Sequence, residues 1–308
     1  MWENYAFHVP EAKKVRYIIH ADAKNEADDQ FTIAHALMTD KLDIRGIIAG
    51  HFEKGRGTRY PEKTTATESY KEIVKILELM GLNGKYPVYI GAEEGIPNEQ
   101  TPIVTDAAKF IVEEAMREDD SPLFIGMQGA ITDLACAILM EPRICERMTC
   151  IWIGGGKYPE GEREFNLMND IAAANVVFAS RMPVWQVTKA VYKQFAVSFA
   201  ELQLKVKPYG AIGEYLFQQM MDFNMSRQER APWPHGETWE LGDEGCVCAL
   251  LEGKEHDNYD MLPAPRFAED MTYIHGQDNR PIRVYRTMDA RMDLEDLFAK
   301  LQINYPKN

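Results

Sequence analysis

Four carboxylates, Asp22, Glu26, Asp28 and Asp29, crowd into eight residues of a 308-residue chain. Like charges this close repel unless something positive sits among them, so a bound cation is the economical explanation. Oxygen-only ligands favour a hard ion such as Ca2+ or Mg2+, whereas zinc usually brings Cys or His. An acidic helix N-terminus that complements the helix dipole accounts for the same residues without a ligand. This loop by itself leaves both readings open.

The elements around the loop are legible from periodicity. An apolar, β-branched run from Val15 ends at His20, and from Asp28 onward Phe31, Ile33, Ala34, Leu37 and Met38 recur at helical spacing, predicting strand, loop and helix. The same alternation continues: strands at 44–50, 87–91, 123–127, 150–153 and 184–187, and helices at 28–39, 64–80, 104–117, 129–140 and 169–181. Short strands separated by helices imply parallel βαβ units. The expected fold is therefore α/β: an open, mostly parallel, doubly wound sheet with helices on both faces. From about 190 the pattern turns to extra helices at 196–206 and 209–225, then a loop at 226–240, a short helix from Asp243, an edge strand at 281–285 and a terminal helix at 291–303. With no repeat or low-complexity linker, one domain over 1–308 is the simplest organisation.

In doubly wound sheets ligands bind beyond the carboxyl ends of the strands. That filter retains the acidic loop, His51 after the second strand, and Gln128 after the fourth, whose backbone carbonyl could face a cation. It also retains the polar pair Glu164 and Asn166 beyond Gly154-Gly155-Gly156. Asp243, at a helix start, is either a site acid or an N-cap. Trp233, His235 and Trp239, in the 226–240 loop, either stack on an aromatic ligand or pin the loop down.

A net charge of −14 repels nucleic-acid backbones and anionic membranes, which leaves small molecules as partners. Residues 1–14 lack an apolar core and no 18 apolar residues run together, so neither a signal peptide nor a membrane span is expected. The five cysteines, an odd number with no Cys-x-x-Cys pair, read as reduced thiols of a cytoplasmic protein.

Taken in order, these motifs resemble the nucleoside hydrolases, the inosine-uridine-preferring N-ribohydrolase family, in a divergent branch whose first loop reads Asn-Glu-x-Asp-Asp-Gln. The family's Asp-x-Asp-Pro-Gly-x-Asp-Asp segment is similar to residues 20–29, with two residues inserted and His20 in place of the first Asp. Gly129-Ala-Ile-Thr-Asp133, Ile153-Gly-Gly-Gly156 and Arg163-Glu164-Phe165-Asn166 match later family segments, and Gly242-Asp243 stands where a His-Asp pair is usual. The resemblance spans about 15–250 and implies an open α/β fold, one Ca2+ and cleavage of the N-glycosidic bond of a ribonucleoside or related riboside.

Carried over residue by residue, it makes Asp22 the catalytic base and assigns the metal to Asp22, Asp29, Asp243 and the Gln128 carbonyl. Asp28, Glu164, Asn166 and Asp243 would hold the sugar. With glycine at 242, the leaving group needs another proton donor, and His51 and His235 are the expected candidates, His235 also contacting substrate. The family is commonly oligomeric, so a homo-oligomer is expected. Two alternatives stay open: a calcium-dependent ribose or nucleoside binder without turnover, and an Asp-x-Asp phosphatase, for which His20 occupies the nucleophile's place.

Overall fold

The computed structural model describes residues 2, 4–227, 233–253, 257–276 and 279–307. Strands β1 (Val15–Ala21), β2 (Leu42–Ala49), β3 (Val88–Ile90), β4 (Leu123–Met127), β5 (Met148–Ile153) and β6 (Val184–Val187) run parallel, in the spatial order β3-β2-β1-β4-β5-β6. The chain works outward from β1 to one edge, then returns to start the other half at β4. That reversal makes the gap between β1 and β4 the switch point where α/β sheets bind ligands.

The connecting helices are α1 (Asp29–Met38), α2 (Thr65–Leu79), α3 (Asp106–Ala115), α4 (Thr132–Met140), the one-turn α5 (Phe165–Asn169) and α6 (Ile171–Ala179). The expected helix at 169–181 is broken at Asp170, whose side chain caps α6 by accepting from the Ala173 N–H. Beyond β6 come α7 (Lys189–Tyr192), β7 (Ala196–Ser198), α8 (Phe199–Lys205), α9 (Gly210–Ser226), β8 (Thr238–Glu240) and α10 (Gly245–Leu251). β7 pairs with β8 in a two-stranded ribbon, so the helix expected from 196 begins only after a short strand. The ribbon exists because residue 197 meets residue 239, a pairing with no local signature.

The final segment holds β9 (Tyr259–Pro263), β10 (Arg266–Phe267), β11 (Tyr273–Ile274), β12 (Pro281–Tyr285) and α11 (Ala290–Asn304). The expected edge strand at 281–285 lies inside the sheet: β12 pairs parallel with β6 and antiparallel with β9, which forms the edge. Alternation along β1 shows why the sheet needs cover on both sides. Tyr17, Ile19 and Ala21 enter the core shared with α1, α2, α10 and α11, while Ile18 enters the core built on α3, α4 and α6. Among the described residues no helix is long and apolar enough to cross a membrane. All five cysteines are buried free thiols.

Candidate active site

A cavity of about 380 Å³ opens at the carboxyl ends of β1, β4 and β5. The loop after β1 brings Asp22, Asn25, Glu26, Asp28 and Asp29 to its lining. That loop is held by a turn, with the Asn25 N–H donating to the Asp22 carbonyl at 2.8 Å, and by Gln30 Nε2, which donates to the Ala23 carbonyl at 2.7 Å. Asp28 caps α1, accepting from the Asp29 N–H at 3.1 Å. The capping role and the pocket role fall on one side chain.

Asp243 arrives from the far end of the chain, in a 3-10 turn over Gly242–Glu244. Its neighbour Glu244 is bonded to His35 Nδ1 of α1 at 2.7 Å, with both side chains fully buried, and this clamps the turn against the helix that starts at Asp29. The Asp243 N–H donates to Asp28 Oδ2 at 3.4 Å. Carboxylate oxygens of Asp28, Asp29 and Asp243 thereby lie within 4.8 Å of one another, all buried. The trio differs from the metal set expected from sequence in two ways: it includes Asp28, and it lacks Asp22.

Asp22 lies against Gly129, where a Cβ would come within 2.8 Å of its Cγ. Burial raises its pKa well above the usual carboxylate range, with the charges of Asp28 and Glu26 adding to the effect. Asp29 and Asp243 are raised well above it for the same reasons, burial first and then the neighbouring aspartates, and burial lifts Asp28 to about 6. Such a group is costly to ionise without a cation at its centre.

Orphaned polar atoms fit that cation. Asp22 Oδ2, Asp29 Oδ1 and both ends of the Gln128 side-chain amide are buried without a hydrogen-bond partner. The sequence pointed to the Gln128 backbone carbonyl, which accepts from Asn166 Nδ2 at 2.9 Å and keeps a second lone pair. Its side-chain amide is an additional oxygen that sequence reasoning did not anticipate.

Glu164 and Asn166 line the same cavity. Glu164 caps α5: Oε2 accepts from the N–H groups of Gly155 at 3.0 Å and Leu167 at 2.9 Å, and Oε1 from Asn166 N–H at 3.1 Å and the Tyr192 hydroxyl at 3.3 Å. Asn166 Nδ2 also donates to the Ile153 carbonyl at 2.9 Å, which leaves its Oδ1 for other partners.

The two histidines expected as proton donors are not brought to the cavity. His51 is 1% exposed, and its Nε2 donates to Thr132 Oγ1 at 2.8 Å, which in turn donates to Asp170 at 2.8 Å. Burial lowers its pKa to about 4, so near pH 7 it is a neutral link in a structural chain. His235 is exposed and pairs with Glu240 at 3.3 Å; Glu240 lines the cavity while His235 does not. Of the two loop tryptophans, Trp233 lines the cavity, and Trp239, 1% exposed, packs behind it against Phe199 and Phe223. Residues 228–232 of this loop lie outside the described residues.

Tyr192 escaped the sequence reading. It lines the cavity five residues beyond the carboxyl end of β6.

The model of the inosine-uridine preferring nucleoside hydrolase family matches residues 17–295. The pyrimidine-specific ribonucleoside hydrolase RihB of Escherichia coli is 29% identical over 128 residues, 40% of this chain and 40% of that protein, so the alignment spans less than half of the relative's length. Among solved structures, a plant nucleoside hydrolase, PpNRh1, superposes with a TM-score of 0.73 at 18% identity, covering 93% of this chain and 98% of that one. A purine-preferring ribonucleoside hydrolase from Gardnerella vaginalis gives 0.72 at 16%, with coverage of 93% and 98%. At these identities the superpositions establish a shared fold, while the family match runs from the third residue of β1 into α11. The chain belongs to the inosine-uridine preferring nucleoside hydrolase family.

Proposed function

We propose that the chain hydrolyses the N-glycosidic bond of a ribonucleoside or related riboside, releasing ribose and free base, with Ca2+ as its metal. The observation that carries this reading is the convergence of Asp22, Asp28, Asp29, Asp243 and Gln128 with the polar pair Glu164 and Asn166 in one cavity at the switch point of the sheet. The donor set is oxygen only, which suits a hard cation held by Asp29, Asp243, Asp28 or Asp22, and Gln128. When bound, that cation supplies positive charge that relieves the repulsion among the acids and polarises a water.

The chain's own residues do the rest. Asp22 Oδ2, buried and unpartnered, is the free acceptor for the proton of the attacking water. Asp28, Asn166, Glu164 and Asp243 grip the pentose hydroxyls, so recognition centres on the sugar. The negative charge of the three acids among them also lowers the energy of the oxocarbenium-like sugar that forms as the bond breaks. Trp233 and Phe165 line the same cavity and supply aromatic surface for a planar base. The buried thiols agree with a cytoplasmic setting, and a homo-oligomer is retained as the expected assembly.

The phosphatase alternative finds little support, because His20, in the nucleophile's place, is fully buried against Asp133. The deciding experiment is a panel of purine and pyrimidine ribonucleosides with Ca2+ present, assayed for reducing sugar. Ribose release that chelation abolishes supports the proposal. Calorimetric binding without release would establish the non-catalytic binder instead.

A further inference from the structure

Breaking a C–N glycosidic bond puts negative charge on the departing atom, and an unassisted heterocyclic anion leaves poorly. His51 is neutral and tied to Thr132, His235 stands outside the cavity, and position 242 is glycine. Among the described residues lining the cavity, Tyr192 carries the one neutral hydroxyl.

Two contacts explain how Tyr192 comes to be there. A Cβ at position 242 would lie 2.9 Å from Tyr192 Cδ2 and 3.4 Å from Cγ, so the ring occupies the space that any side chain at 242 would need. Glycine at 242 and tyrosine at 192 are thus one packing unit. The second contact is the hydroxyl on Glu164 Oε1. At 3.3 Å it is the longest of the four hydrogen bonds that saturate this carboxylate, the other three coming from backbone N–H groups fixed by the fold. A polar group from substrate that binds Glu164 therefore displaces the tyrosine hydroxyl in preference to the backbone.

We infer that Tyr192 is a catalytic residue of this site: a ribose hydroxyl takes its place on Glu164 Oε1, and the freed phenolic O–H donates a hydrogen bond to the atom leaving the sugar. The inference rests on the N-ribohydrolase reading. No proton need transfer to Tyr192 or from it; the donor stabilises charge that develops as the bond breaks, in the manner of an oxyanion hole. Burial, and then the charges of Glu164 and Glu26, hold the phenol well above its ordinary pKa, which keeps the hydroxyl hydrogen in place.

The test compares wild type, Tyr192→Phe and Gly242→Ala on uridine or inosine and on 4-nitrophenyl riboside, whose leaving group is stable as an anion. Phenylalanine keeps the ring against Gly242 and removes only the hydroxyl. The expected result is a fall in kcat/KM of about 10²–10³-fold on the nucleoside, with a much smaller fall on the nitrophenyl riboside. Gly242→Ala, by pushing the ring aside, should shift the ratio of the two substrates in the same direction. Equal falls on both substrates in Tyr192→Phe would reduce the residue to a support for Glu164, and unchanged kinetics would remove it from the mechanism; either overturns the inference. If wild type releases ribose from neither substrate, it is the N-ribohydrolase reading that fails. Should Gly242→Ala not fold, Tyr192→Phe decides alone.

Discussion

His20 Nε2 lies 3.0 Å from Asp133 Oδ2, and neither side chain has any exposed surface. The pair joins the carboxyl end of β1 to the first turn of α4, and the backbone around it leaves room for nothing else. A Cβ on Gly50 would come within 2.4 Å of the imidazole, and one on Gly91 within 2.2 Å of the carboxylate. The position at which the first family motif departs from its usual aspartate is therefore structural.

Removing the imidazole should be expensive. His20→Ala leaves the Asp133 carboxylate buried with only the Ala92 N–H and the long contact to the Thr105 hydroxyl, and leaving a buried hydrogen-bonding group short of its partner costs about 1–3 kcal/mol, more when that group is charged. Urea denaturation measures this. A variant as stable as wild type would show that the pair contributes nothing.

Metal content is the next test. With Asp29→Ala or Asp243→Ala the bound cation should be lost, and elemental analysis of the dialysed protein with Ca2+ supplied should fall from one ion per chain toward none. Thermal stability should lose its dependence on added Ca2+, since a ligand that binds only the folded state stabilises it in proportion to its occupancy. Full metal content in both variants would place the cation elsewhere.

Asp22→Asn keeps the shape of the side chain and removes its ability to accept a proton. Turnover should drop by about 10²–10⁴-fold, the usual worth of general-base catalysis, while the far-UV spectrum stays the same. Near-normal turnover would pass the role to Glu26, which also lines the cavity.

A pH dependence follows from His51. Its folded pKa of about 4 lies below the ordinary 6.5, so between those values the unfolded chain holds a proton that the folded one does not. Stability associated with neutral His51 is thus fully present above pH 6.5 and is lost as pH falls toward 4, by up to ~3 kcal/mol. In urea denaturation at pH 7 and pH 4.5, His51→Gln should lose less stability between the two than wild type. An identical loss would assign the acid sensitivity to other groups.

The sequence by itself determined the parallel α/β sheet, because strand and helix periodicities are local and each element's buried face is written into its own residues. It also placed Asp22 and Gln128 at the active end of the sheet, since a residue just past a parallel strand has few other places to go, and the ordered motifs brought Asp28, Asp29, Glu164 and Asn166 to the same end. Only the tertiary structure decided which way those side chains are spent. His51 sits at a strand end as expected, yet its ring is directed to Thr132 in α4 and away from the cavity, a choice set by the packing of an element 81 residues away. The interior position of β12 and the edge strand β9 likewise depend on pairing between distant segments that leaves no periodic trace. Gly242 reads in sequence as a missing side chain; the fold fills that space with Tyr192, because close packing joins residues by volume and distance, and neither is encoded in the order of the chain.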